Sequence, residues 1–436
     1  EGKTKELKEF LENFKVRTVL TAHPTQFYPG SVLGIITDLT EALKANNHIV
    51  IKDLLAQLGK TTFLKKEKPT PFDEAVSLVW YLENVFYPTA SEMVHYLQKN
   101  IFKGNELKND VLNLGFWPGG DRDGNPFVTT EITLKVAERL RTSILKCYYT
   151  DVRKLKRKLT FTGVDVIIAE LENKLYRSVF YSQGEIFISL NEFKAQLQNI
   201  KNIIIEKHQS LYVDEVDLLL NKVNLFGFHF ATLDIRQNSK IHKTVFQDIA
   251  QKEKSLFPAD YFNLSETAKI DILSKASAQL KASDFDNEIT KETISSIEAI
   301  RTIQENNGEL GCNRYIISNN ESALNVMETL AMFQLCDWNN PSVDVVPLFE
   351  SVEDLHKADL VMEQLYTNSV YANHLKSRGN QQTIMLGFSD GTKDGGYLMA
   401  NWAIFKAKVN LTTVSEKHHI KLAFFDGRGG PPSRGG

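Results

Sequence analysis

The chain has 436 residues, longer than an ordinary single domain, with 51 Lys+Arg against 54 Asp+Glu and a net charge of −3. That balance argues against a general nucleic-acid binder, so the cations that matter must act locally. No apolar run approaches the ~18 residues that span a bilayer, and Cys147, Cys312 and Cys336 show neither metal-type spacing nor an even count. A reducing cytoplasm fits, with each cysteine read as a small buried hydrophobe. Residues 1–10 are charged and helical in character, unlike a secretory leader, and the missing initiator methionine points to a trimmed or partial product.

Leu7, Phe10, Leu11 and Phe14 share one stripe and predict a helix over residues 6–14. A β-branched strand from Arg17 then runs to Thr21-Ala22-His23-Pro24-Thr25, where the proline biases His23 to extended geometry and ends the strand. His23 would sit at a strand's C-terminal end, where open α/β folds and barrels build sites, although a lone histidine is as often structural. Two core helices follow. One is marked by Val32, Ile35, Ile36, Leu39 and Leu43, the other by Ala75, Leu78, Val79, Leu82, Val85 and Phe86 between Pro69-Thr70-Pro71 and Pro88.

The run Phe116 to Pro126 is dense in turn formers and charge. It lacks the Asp/Asn ladder and distal Glu of a calcium loop, so Arg122, bracketed by Asp121 and Asp123, reads instead as a guanidinium held in orientation beside a site. Thr129 or Thr130 caps the next helix, with Leu134, Ala137, Leu140, Ile144 and Tyr148 on one stripe. Phe226 to Arg236 reads as a strand with Phe228, Phe230, Thr232, Asp234 and Arg236 on one face and a structural His229 on the other. Strands at Arg314–Ser318, Asp344–Glu350, Thr383–Asp390 and Lys421–Phe425 alternate with helices at 320–335, 353–366 and 394–407, which means a parallel sheet. The fold class is therefore α/β: one elaborated (β/α)8 TIM-type barrel domain over residues 1–436, with seven of eight strands present. Helical insertions lie at about 31–110, 130–224 and 240–307.

Glu350 and Asp390 end adjacent strands and would meet at the barrel mouth. Two hard-oxygen carboxylates suit Mg²⁺ or Mn²⁺, and equally suit N-caps of the helices that follow. After the apolar strand at Leu422–Phe425, the loop Gly427 to Gly436 offers glycine N–H groups and Arg428 and Arg434 to an anion, with a flexible tail as the alternative. With Arg236 and Lys393 nearby, such a site wants a small, highly anionic substrate carrying phosphoryl or carboxylate groups.

Taken together, Thr21–Thr25, the Gly-Gly-Asp-Arg-Asp-Gly-Asn-Pro run at 119–126, Leu233–Gln237, Pro347–Glu350, Ser389–Asp394 and the closing glycine-arginine loop resemble phosphoenolpyruvate carboxylase, in that family's order. The resemblance implies addition of phosphoenolpyruvate to bicarbonate, giving oxaloacetate and phosphate through carboxyphosphate and an enolate. It implies Glu350 and Asp390 as ligands of a divalent metal. Arg236, Arg428 and Arg434 would bind the phosphoryl group, with Arg122, Gly429 and Gly430 beside them. Lys393 would serve in catalysis, and His23 in carboxyphosphate breakdown and carboxylation.

Departures from the family's pattern are equally specific. Phe27-Tyr28-Pro29-Gly30 stands where a pair of arginines is common, Asp426 where many members carry histidine, and Pro431-Pro432-Ser433 where Thr-Val-Gly is usual. Members are also longer. The remainder supplies a final strand, further arginines and effector-binding helices to a cytoplasmic enzyme that is generally a homotetramer, so this chain is expected to be a fragment, inactive alone. Competing readings are a catalytically dead relative acting as a binding or regulatory subunit, and a phosphoenolpyruvate–pyruvate phosphotransferase.

Overall fold

In the computed structural model, which describes residues 3–21, 30–63, 69–102, 111–181 and 187–427, the chain clusters into two compact units. Residues 1–113 and 142–225 form the first, residues 114–141 and 226–436 the second.

The first unit is almost wholly helical. It holds α1 (Thr4–Asn13), β1 (Val16–Leu20), α2 (Gly30–Lys44), α3 (His48–Lys60), α4 (Pro71–Tyr81) and α5 (Tyr87–Asn100). The latter part of α6 (Thr130–Lys156) follows, then α7 (Asp165–Phe180), α8 (Leu190–Lys207) and α9 (Val213–Phe226), which ends at the unit boundary. Pro-Thr-Pro starts α4 as its chemistry requires: Thr70 Oγ1 accepts the Asp73 N–H at 3.2 Å, and Asp73 accepts the Thr70 N–H at 3.0 Å. Pro88 does not end the helical run there. A π-helical turn, Leu82–Phe86, passes directly into α5, and Pro88 follows it where the hydrogen-bond register shifts, so the helical run continues past the missing N–H. The core gathers Tyr148, Val152, Leu171, Leu175, Phe193, Leu197 and Ile200.

The second unit carries the parallel sheet. Its strands are β2 (Leu112–Phe116, whose first two residues belong to the first unit), β3 (Thr232–Asn238), β4 (Arg314–Ser318), β5 (Asp344–Phe349), β6 (Gln381–Gly387) and β7 (Lys421–Gly427). Between them run α10 (Ser239–Lys252), α11 (Glu266–Leu273), α12 (Glu288–Asn307), α13 (Ala323–Leu335), α14 (Val352–Thr367), α15 (Ser369–Ser377) and α16 (Ser389–Lys417). Neighbouring strands from β2 to β7 pair in parallel in chain order, with Ile235 opposite Tyr315, Tyr315 opposite Val345, Leu348 opposite Met385 and Met385 opposite Phe425. Each crossover is long enough to lay helix on the sheet, as parallel pairing demands.

The sheet curls. Five strand spacings of ~4.8 Å would put β2 and β7 ~24 Å apart in a flat sheet. Trp117, just after β2, nevertheless meets Phe425 of β7 with ring centroids 5.8 Å apart. Both rings pack on Ile316, Val346, Leu348 and Met385, which form an enclosed apolar interior. The described strands thus make a curled α/β sheet, not a closed barrel, and among them β7 pairs with β6 alone.

Two expectations need correction. The segment from Phe226 is not strand at its start: α9 ends there, and Gly227 (φ 49°) and Phe230 (φ 62°) turn the chain before β3 begins at Thr232. The helix expected at 394–407 runs from Ser389 to Lys417, broken at Gly396, whose φ of 78° and ψ of 170° are not helical. The cysteines are as expected, with Cys312 and Cys336 buried, Cys147 partly so, and none in a disulfide. Among the described residues no helix is long and apolar enough to cross a membrane.

Glu328 on α13 is buried, and that burial pushes its carboxyl up to about 7, against the pull of Asn325, Lys269 and Lys243. A carboxyl raised on folding favours the folded state only while protonated, so stability falls as pH climbs from ~4.5 toward 7. Glu328→Gln should remove about 2–3 kcal/mol of that decline. Urea unfolding of both proteins at pH 4.5 and pH 8 measures it. A parallel pH dependence in the two would refute it.

Candidate active site

After β2 the chain turns tightly, with the N–H groups of Gly120 and Asp121 donating to Trp117 O at 2.9 and 3.0 Å. It then runs alongside β3: Arg236 N–H donates to Gly120 O at 3.0 Å, and Arg122 N–H to Arg236 O at 2.9 Å. Only glycine permits this approach. A Cβ on Gly120 would lie 2.1 Å from the carbonyl oxygen of Asp234.

Extended backbone alternates its side chains, and this decides what the Asp-Arg-Asp run does. Asp121 and Asp123 both turn to Arg236, not to the arginine between them. Arg236 Nε donates to Asp121 Oδ1 at 2.7 Å, and Nη2 lies 3.2 Å from Asp123 Oδ2. The guanidinium stands 4.9 Å over the Trp117 ring, whose Nε1 donates to Asp234 at 3.2 Å. Burial alone would lower the Arg236 pKa, but Asp121 and Asp123 outweigh it and hold the group above its ordinary value. Burial likewise raises the Asp121 carboxyl, with Arg236 opposing.

Arg122, expected to be steadied by its flanking aspartates, faces the other way. Its guanidinium donates to Glu292 O at 3.0 Å, Thr130 Oγ1 at 3.0 Å and Thr133 Oγ1 at 3.4 Å, tying the loop to α12 and the start of α6. Sequence reasoning missed Asp121, Asp123 and Trp117 as the residues that hold Arg236. The signal lay in the i, i+2 spacing behind a pair of glycines.

Glu350 follows β5, and it does not cap α14. Ser351 does: its Oγ accepts the Asp354 N–H at 3.1 Å and donates to the Asp354 carboxylate at 2.6 Å. Asp394 of α16 accepts the Val352 N–H at 3.2 Å and completes that cap. Asp390 makes no cap either, since no side chain closes the start of α16. Glycines again make room, because a Cβ on Gly387 would lie 3.2 Å from Glu350 Cα and Cγ. Burial pushes the Glu350 carboxyl up to about 7, Asp390 adds to the rise, and Arg236 and the Asn319 N–H oppose it. Asp390 is half exposed and pairs at 2.7 Å with Lys393, itself 78% exposed.

Arg236, Glu350, Asp390 and Lys393 are thus linked through charge at the C-terminal ends of β3, β5 and β6. His23, Arg428, Gly429, Gly430 and Arg434 lie outside the described residues. Among the described residues no group of three His, Cys, Asp or Glu side chains gathers as a metal cage. The donor set still fits Mg²⁺ or Mn²⁺, since two carboxylates free of capping duty, one raised by the other's charge, present hard oxygens that a cation would relieve.

A sequence model of the family described as phosphoenolpyruvate carboxylase matches residues 1–180 and 167–436, which together span the chain. The chain belongs to that family. A phosphoenolpyruvate carboxylase of Nitrosomonas eutropha (strain DSM 101675 / C91 / Nm57) is 29% identical over 503 aligned residues, covering 99% of this chain and 53% of that protein. The chain therefore spans about half the length of this curated relative.

Within this phosphoenolpyruvate carboxylase family member, Asp426 does not point into the apolar interior. Phe425 meets Trp117 there, whereas Asp426 pairs at 2.8 Å with Lys408 of α16.

Gly120→Ala should cost about 2–4 kcal/mol, because the methyl group cannot coexist with the Asp234 carbonyl and must push the loop off β3. Arg236 would lose its hold over Trp117, so tryptophan emission should shift while helical ellipticity stays. Chemical denaturation and fluorescence check both, and wild-type stability with unchanged emission would disprove the close approach.

Proposed function

We propose that the chain carries the phosphoenolpyruvate-binding part of a phosphoenolpyruvate carboxylase, which joins phosphoenolpyruvate and bicarbonate into oxaloacetate and phosphate. The observation that supports this most is the fixed guanidinium of Arg236, braced by two aspartates and a tryptophan, with its charge acting on a Glu350 that burial and Asp390 push up. A bicarbonate oxygen attacks the phosphorus, the bond from phosphorus to the enol oxygen breaks with its electron pair left on the departing enolate, and carboxyphosphate forms. Carboxyphosphate then releases phosphate and CO₂, and the enolate carbon attacks that CO₂ to give oxaloacetate.

Arg236 would bind the phosphoryl oxygens in a geometry set before substrate arrives, so little reorganisation is needed as charge moves. Arg428 and Arg434, with the N–H groups of Gly429 and Gly430, would complete the anion site. His23 would assist carboxyphosphate breakdown and carboxylation of the enolate. Glu350 and Asp390 would hold Mg²⁺ or Mn²⁺, whose positive charge favours the enolate. Lys393 would hold the Asp390 carboxylate in place. Arg122 would act through the fold, by fixing the loop that carries Asp121 and Asp123. Turnover would also need polypeptide equivalent to the unmatched part of the longer relative, and a cytoplasmic homotetramer is the assembly we expect for the complete enzyme.

Three substitutions in the complete enzyme test this, with oxaloacetate followed by coupled reduction and phosphate measured separately. Arg236→Gln should lower kcat/KM by about 10²–10³. Glu350→Gln should raise the Mg²⁺ concentration needed for half-maximal rate at least tenfold, with partial rescue at high Mn²⁺. His23→Asn should suppress oxaloacetate more than phosphate release. Full activity of Glu350→Gln at low metal would place the cation elsewhere, and equal loss of both products in His23→Asn would make that residue structural.

A further inference from the structure

In a chain whose net charge is −3, the run Arg153-Lys154-Leu155-Lys156-Arg157-Lys158 puts five cations into six residues. Cations in a last helical turn commonly answer the helix dipole, and Arg153, Lys154 and Lys156 end α6 in that way. Arg157 and Lys158 come after its last residue, and with Lys154 they line a cleft of about 490 Å³. Its other side is α9, within the same unit. That volume falls among small-molecule sites, which run from about 300 to 1,000 Å³. The charges in the cleft are held in place, and they do not balance. Asp151 accepts from Lys222 Nζ at 2.7 Å and from the Tyr87 hydroxyl at 2.9 Å, and Lys222 stands 4.3 Å over the Tyr87 ring. Lys158 Nζ donates to both Glu215 oxygens, at 2.7 and 2.8 Å. Each carboxylate thus has its own lysine. Lys154 comes no closer than 3.5 Å to the engaged Asp151, and among the described residues Arg157 has no carboxylate partner. Four cations against two carboxylates leave two positive charges beside Leu155, Leu218 and Leu219.

We infer that this cleft binds a small organic phosphate, with the phosphoryl group on Arg157 and Lys154 and an apolar body against the three leucines. A phosphomonoester carries about −1.5 to −2 charges at neutral pH, which matches the excess. The planar fork of an arginine receives two phosphoryl oxygens at once. Leucine surface then rewards a body that bare phosphate lacks. The cleft belongs to the first unit, whereas Arg236, Glu350 and Asp390 belong to the second, so the inference stands apart from the catalytic reading.

Phenyl phosphate is the probe, with inorganic phosphate as the control for its head group. Titrated calorimetrically into the 436-residue chain at low salt, phenyl phosphate should bind at least fivefold more tightly than inorganic phosphate. It should also slow hydrogen exchange at the end of α6 and along α9. The double variant Lys154→Gln, Arg157→Gln should raise Kd at least tenfold with an unchanged melting curve, because both side chains are exposed. Arg236→Gln should leave this binding unaltered. No binding, protection confined to other elements, or an unchanged Kd in the double variant would each overturn the inference. Equal affinity for the two probes would also overturn it, by reducing the cleft to an unselective anion patch, and loss of binding in Arg236→Gln alone would do so by assigning the probe to the second unit.

Discussion

A guanidinium taken out of water must be repaid in hydrogen bonds and opposite charge, and that requirement organises the mouth of the second unit. Arg236 obtains both from Asp121 and Asp123, and a polarisable face from Trp117. Those residues can reach it only if the loop after β2 lies against β3, and the loop can lie there only because Gly120 has no Cβ. Arg122 holds the same loop from behind through Glu292 and two threonines. One buried cation therefore dictates a glycine, two aspartates, a tryptophan and a neighbouring arginine.

Glu350 poses the opposite problem, a carboxylate gathered where burial and Asp390 both resist its ionisation. Helix capping is taken over by Ser351 and Asp394, so Glu350 spends no charge on the start of α14. Arg236 relieves only part of the charge. A divalent cation, or an anionic substrate bridged by one, would relieve the rest.

Much of the architecture was legible in the sequence because its signals are local. Apolar, β-branched runs at Arg314–Ser318 and Asp344–Phe349 can only be buried strands, and Pro-Thr-Pro before an apolar period starts a helix at Pro71. Errors arose where a neighbour overrode a local signal. Aromatic alternation from Phe226 looked like strand, but left-handed backbone at Gly227 and Phe230 turns the chain first. Pro88 looked like a helix stop, yet the π turn at Leu82–Phe86 absorbs it into one continuous helical run. Of the candidate site, Arg236, Glu350, Asp390 and Lys393 lie within reach of one another's charge, while Arg122 turns away from them.

By itself the sequence determined the β/α order, the parallel sense of the sheet and the residue types at the strand ends, because periodicity, crossover length and turn chemistry are properties of contiguous residues. Only the tertiary structure decided partners. Whether Asp121 and Asp123 serve Arg122 or Arg236, whether Glu350 caps a helix, and whether Asp426 faces the interior or α16 all depend on a second segment brought close by folding. Such contacts join residues more than a hundred positions apart in the case of Arg236, and no local signal can carry that information.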